Sequence, residues 1–139
     1  MTLGELLSSI LINLQSIFKN NVNIEGLTFP KALALLIIPY DGIEMSMLSR
    51  KLGVDNSTTT RLIKGMETDG LVERKGSKKD RRVISVFLTK SGEILYKELE
   101  LQIDRVGVDL QKKMKHLDKH NIIEALTDLN WALIKEIKT

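Results

Sequence analysis

Residues Leu62–Leu88 read LIKGMETDGLVERKGSKKDRRVISVFL, and the change of period inside this stretch decides the fold. Leu62, Ile63 and Met66 recur at helical spacing until Asp69-Gly70 breaks the pattern. Leu71 to Lys75 then begins a strand, and Val83 to Leu88 returns as its partner, with Val83, Ile84, Val86 and Phe87 rich in β-formers. The tip between them is KGSKKDRR, in which Lys75, Lys78, Lys79, Arg81 and Arg82 are cationic and Asp80 is the sole acid. Each unpaired charge costs several kcal/mol to desolvate, so this tip requires water or an anionic partner.

Upstream, Gly53 suits the left-handed turn that ends a short helix running from about Glu44 to Leu52, with Met45, Leu48 and Leu52 on one face. Asp55 is placed to cap the next helix, which runs to about Thr68. At about 100° per residue, Thr59, Leu62, Ile63 and Met66 cluster on one side and Ser57, Thr60, Arg61, Lys64 and Thr68 on the other. One face suits a core, the other hydrogen bonding.

Before these lie two more helices. The first carries Leu3, Leu6, Leu7, Ile10, Leu11, Leu14, Ile17 and Phe18 on a wide apolar stripe and ends at NNVN. In the second, Thr28 caps, Pro30 sits in the first turn, Leu33, Leu36 and Ile37 point inward, and Pro39 and Gly42 close. After the hairpin, Thr89 caps a long helix bearing Leu95, Leu99, Ile103, Val106 and Leu110. Asp118 opens a last one with Ile122, Leu126, Leu129, Leu133 and Ile137. Nothing adjacent in sequence covers the terminal helices. The economical solution is a two-fold dimer in which Leu3, Leu7, Ile10 and Leu14 meet Ile122, Leu126, Leu129 and Leu133.

Charge is distributed unevenly. Met47–Lys90 holds 11 Lys and Arg against 5 Asp and Glu, whereas the remainder holds 10 against 13. A basic middle with acidic ends is expected when one lobe faces a polyanion. Cysteine is absent, which excludes disulfides, thiolate nucleophiles and a thiol switch within the chain. MTLGELL has an acid where a secretory signal needs a base, and the apolar run Ala32–Ile38 is too short to span a bilayer. A soluble, cytoplasmic protein of one domain is expected. His116 and His120 flank Asp118 without a third ligand nearby and read as a helix junction, so no metal, no cofactor and no enzyme is expected.

Helix, helix, glycine-containing turn, helix and hairpin make a winged helix-turn-helix: a mainly α fold with a small β-hairpin wing. Residues 48 to 95 resemble the multiple antibiotic resistance regulators, the MarR family. The match lies in Leu52-Gly53-Val54-Asp55, the Ser/Thr-rich helix after it, Gly70-Leu71-Val72, Asp80-Arg81-Arg82 and Leu88-Thr89-x-x-Gly92. Asn56 stands where members often carry Pro, which predicts a looser start to the recognition helix. The resemblance implies residues 28–88 as a DNA-binding lobe and residues 1–20 and 89–139 as a helical dimerisation region, together one compact domain. It implies a homodimeric transcriptional regulator on a near-palindromic operator, often a repressor released by a small anionic ligand.

The residues support a duplex-DNA partner independently. A helix fits the ~12 Å wide major groove, where Arg61 is the candidate for bidentate guanine contact beside Thr60 and Lys64. Ser57 and Thr58, at the helix start, suit phosphate. On the wing, Arg81 suits a narrow minor groove and Arg82 beside it is a further DNA-binding candidate, while Lys75, Lys78 and Lys79 make screened phosphate contacts. By resemblance, Asp80 orients a neighbouring arginine; the bland alternative is a surface bridge from Asp80 to Arg82. For an effector, a small anionic or phenolic molecule, the implied cleft is lined by the first, second and fifth helices, with Asn13, Gln15 and Tyr40 as candidates. The competing readings are a protein-docking winged helix or a non-specific nucleic-acid binder.

Overall fold

The computed structural model describes residues 1–114 and 118–137, so His116 lies outside the described residues. Its order is α1 (Leu3–Asn21), α2 (Phe29–Ile37), β1 (Ile43–Glu44), α3 (Met45–Leu52), α4 (Asn56–Thr68), β2 (Val72–Gly76), β3 (Ile84–Leu88), α5 (Lys90–Lys113) and α6 (Lys119–Ile137). The winged helix-turn-helix expected from sequence is present. The helices begin at side chains suited to capping: Thr2 and Glu5 form a reciprocal capping box on α1, Thr28 accepts from Lys31 N, and Thr89 accepts from Gly92 N. Gly53 ends α3 with φ of 70°, the left-handed conformation that its sequence position predicts.

The sheet has the antiparallel order β1-β3-β2. Strand β1 was not foreseen: Ile43 pairs with Val86 and Glu44 with Ser85. It is held in place by Gly42, whose φ of 84° leads the chain across the Phe87 ring so closely that a Cβ there would collide with it. Arg74 pairs with Val86 and Lys75 with Ser85, which sets the two faces of the wing.

The core gathers Leu35, Leu48, Ile63, Met66, Val86 and Leu99, all fully buried, beneath α4 and the sheet. One inward assignment is corrected in α2. The structure buries Ala32, Ala34 and Leu35, whereas Leu33 and Ile37 are only half-buried and Leu36 is exposed. This short helix packs where it crosses its neighbours closely, and alanine permits that approach. Its larger leucines instead border an apolar hollow.

Neither α1 nor α6 has a fully buried residue. Leu3, Ile10, Leu14, Leu126 and Leu133 are exposed, and Leu7, Ile122 and Leu129 are half-buried. No helix among the described residues is long and apolar enough to cross a membrane.

Candidate nucleic-acid interface

The recognition helix α4 divides as its period requires. Thr59, Ile63 and Met66 are fully buried, and Ser57, Arg61, Lys64 and Thr68 are exposed. A buried polar contact anchors its first turn to α3: Ser49 Oγ and Thr59 Oγ1 are 2.7 Å apart, and Thr59 also reaches Asp55 O at 3.1 Å. The loose start predicted from Asn56 is not found. The Asp55 carboxylate accepts from Thr58 N at 2.7 Å, and that backbone N–H, more than any other group, holds its carboxyl below the ordinary range. A capping carboxylate supplies the order that a proline would otherwise supply through its fixed φ.

On the exposed side, Arg61 Nη2 donates to Thr58 Oγ1 at 3.3 Å, and Thr60 donates to Asn56 O at 2.8 Å. Thr60 is half-buried and keeps acceptor capacity. The side chains of Ser57 and Lys64 make no ion pair or hydrogen bond among the described residues. The helix thus presents an ordered hydroxyl and guanidinium surface with an unengaged ammonium.

Residues 31–84, which hold this helix and most of the wing, match the family model described as the MarR family. The likeness to that family is carried by this stretch, which is less than half of the chain. A relative, the organic hydroperoxide resistance transcriptional regulator of Bacillus subtilis (strain 168), is 33% identical over 89 residues, 63% of this chain and 60% of its own length. Of the first two relatives compared, the chain spans 60% and 42% of their lengths. Among solved structures, the regulator NadR in complex with 4-hydroxyphenylacetate superposes with a TM-score of 0.81 at 19% identity, over 96% of this chain and 92% of NadR. FabT of Streptococcus pneumoniae in complex with DNA gives 0.69 at 23% identity, over 95% of each chain. These two likenesses are of fold. Both relatives are named as transcriptional regulators.

The wing sorts its cations. Lys78, Lys79 and Arg81 are exposed and form no side-chain ion pair or hydrogen bond among the described residues. Lys75 is engaged: its Nζ lies 3.2 Å from Glu73 and 5.1 Å from the Phe87 ring centroid. Asp80 takes Arg82 as its partner. Its carboxylate accepts from Arg82 N at 3.0 Å, Nε at 3.2 Å and Nη2 at 3.3 Å. The side-chain bonds from Arg82 are the main reason its carboxyl sits below the ordinary range. Asp80 therefore folds the tip around Arg82 and leaves Arg81 free to project.

Sequence reasoning overlooked Arg74. It sits on β2 between the outward Glu73 and Lys75, and its Nε meets Glu67 Oε1 of α4 at 2.8 Å. The period of 2 that puts Arg74 on the same face as buried Val72 was the available signal.

Away from the wing, α1, α2 and α5 enclose a hollow of about 310 Å³ bordered by Leu14, Gln15, Phe18, Phe29, Leu36 and Ile103 among others. Gln15 borders it. Asn13 and Tyr40 do not line it. Asn13 faces Ser9 Oγ at 3.4 Å, and Tyr40 is 90% exposed beside Tyr96 in a different hollow. At the start of α6, His120 is exposed with Nε2 3.8 Å from Glu124, and Asp118 caps the helix through His120 N.

Proposed function

We propose that this chain is a sequence-specific, duplex-DNA-binding transcriptional regulator that acts in the cytoplasm as a homodimer on a near-palindromic operator. The observation that carries the reading is the juxtaposition of the exposed Ser57, Arg61 and Lys64 face with a wing whose Lys78, Lys79 and Arg81 have no protein partner among the described residues. Unpaired cations on two adjoining projections match a major groove flanked by a minor groove, with phosphates between. FabT, of the same fold, is known in complex with DNA.

The exposed apolar faces of α1 and α6 support the dimer, with Leu3, Leu7, Ile10, Leu14, Ile122, Leu126, Leu129 and Leu133 as its seam. Two lobes so joined place their α4 helices in successive major grooves, ~34 Å apart. Arg61 reads a base pair, Arg81 the minor-groove width, and Lys78 and Lys79 tether to phosphate. Selection from a random duplex pool tests this. Recovery of two inverted half-sites one turn apart is expected, and a pool that converges on no motif overturns sequence-specific recognition.

The chain acts as a repressor that an effector releases by changing the spacing of the lobes. The hollow between α1, α2 and α5 is the effector site, and its chemistry narrows the ligand. Its border is apolar apart from Gln15, and no cationic side chain among the described residues lines it. That favours a neutral phenolic molecule over an anion, with Gln15 as hydrogen-bonding partner. Release of bound DNA by a neutral phenol and not by benzoate is expected. The reverse order of potency overturns this assignment.

A further inference from the structure

The C-terminal end of α4 carries charge of the wrong sign for a helix. Glu67 lies in the last turn and Asp69 caps it, with no base in that turn. Carboxylates there face the negative end of the helix dipole and cost stability rather than add it. Each is met by a cation from another element: Asp69 by Lys31 of α2 at 2.7 Å, and Glu67 by Arg74 of β2 at 2.8 Å.

Strand register makes the second pair informative. Side chains of β2 alternate, so Glu73 and Lys75 share the outer face with Phe87, while Val72 and Arg74 share the face turned to α4. Val72 and the cross-strand partner of Arg74, Val86, are buried, so the nearest neighbours of position 74 on this face are apolar. A guanidinium stands among them. Beyond it toward the tip, the polar contacts of the wing stay within the hairpin: Ser77 N to Val83 O, Val83 N to Asp80 O, and Asp80 with Arg82. Only Asp69, Gly70 and Leu71 lie between α4 and β2. Glu67–Arg74 is thus the outermost polar tie between recognition helix and wing among the described residues. An apolar contact tolerates sliding, whereas a charge-assisted hydrogen bond is directional and fixes a register.

We propose that Glu67 and Arg74 are positioning residues that set the angle between wing and recognition helix, and thereby determine how strongly the sequence flanking each half-site is read. The second clause rests on the DNA-binding reading above; the first does not. A wing that swings freely still delivers positive charge to phosphate but cannot hold Arg81 at one groove width, so flank discrimination falls while general affinity persists.

The absence of cysteine allows a clean test. Spin labels at Lys64→Cys and Lys79→Cys report the distance from helix to wing tip by pulsed electron paramagnetic resonance without DNA. The comparison is among the otherwise native chain, Glu67→Gln, Arg74→Lys, which keeps the charge but loses the planar fork, and the exchanged pair Glu67→Arg with Arg74→Glu. One narrow distribution is expected for the native background, a width about doubled or more in either single variant, and narrowing in the exchange. Melting curves verify that each variant is folded. Equal widths in the native background and both single variants overturn the proposal, whatever the DNA result. In parallel, unlabelled proteins meet duplexes that share a centre but differ in A/T-rich or G/C-rich flanks. Glu67→Gln is expected to erase most of a flank preference of about tenfold while a central base change costs the same as before. Broadened distances with an unaltered flank preference overturn the specificity role. Broadened distances in a chain that binds no duplex uphold the brace and defeat the DNA reading instead.

Discussion

Asp80 and Thr59 show two ways in which one polar side chain serves this fold. Asp80 is on the surface, and its carboxylate gathers the backbone N–H and guanidinium of Arg82, which is itself 91% exposed. Because its folded pKa is lowered, the contribution is complete above the ordinary aspartate pKa and is lost as pH falls through the lowered value. A carboxyl-resolved NMR titration should place Asp80 below the ordinary range in the native chain and move it part of the way back up in Arg82→Ala, which keeps the backbone N–H bond, while melting temperature hardly changes because the pair is solvent-screened. Thr59 is fully buried, and its hydroxyl joins α4 to Ser49 of α3. Thr59→Val keeps the shape and removes the bond, so urea unfolding should show a loss of about 1 kcal/mol with unchanged m-value. The wing tip was legible in sequence as a set of charges, but not which charge would be spoken for. Lys75 looks like its neighbours in the string KGSKKDRR, and only strand register puts it beside Glu73 and Phe87.

Among the elements, α4 was the most legible because a helical period sorts its residues by itself: the buried Thr59, Ile63 and Met66 and the exposed Arg61 and Lys64 follow from spacing alone. The two-residue β1 has no period to read, and α2 misleads because its tight crossings favour Ala32 and Ala34 over the larger Leu36. Glu67 and Arg74 come together only when the hairpin folds back on the helix. The division of labour between helix and wing makes a graded prediction for DNA affinity measured across salt and sequence. Arg61→Ala should cost ~1–3 kcal/mol at the preferred site and relax specificity at one base pair per half-site. Lys78→Ala should reduce the salt slope by about 1 on every sequence, and Lys75→Ala by much less because its ammonium is engaged within the sheet. Arg81→Ala should weaken binding most where the flanks are A/T-rich. Equal losses for all four on every duplex would contradict these roles.

Tight binding of two half-sites depends on what covers the terminal helices. Their apolar stripes were plain from spacing, and the structure leaves Leu14, Leu126 and Leu133 exposed with no fully buried residue in α1 or α6. A second copy of the chain was inferred because nothing else in the sequence could cover them. Leu126→Asp, which puts a charge into the proposed seam, should shift sedimentation from dimer to monomer and abolish tight binding while leaving the fold of the winged lobe intact. Of the three residues expected at an effector cleft, Gln15 borders the hollow between α1, α2 and α5, and Asn13 and Tyr40 do not. All of this converges on recognition of a particular duplex. The decisive measurement is fluorescence anisotropy of the purified chain against its own upstream intergenic DNA and a scrambled duplex at two salt concentrations. A preference of ~10³-fold or more for the upstream DNA, with affinity falling steeply as salt rises, is predicted. Failure to bind either duplex even at low salt would contradict the account and leave the winged lobe as a protein-docking module.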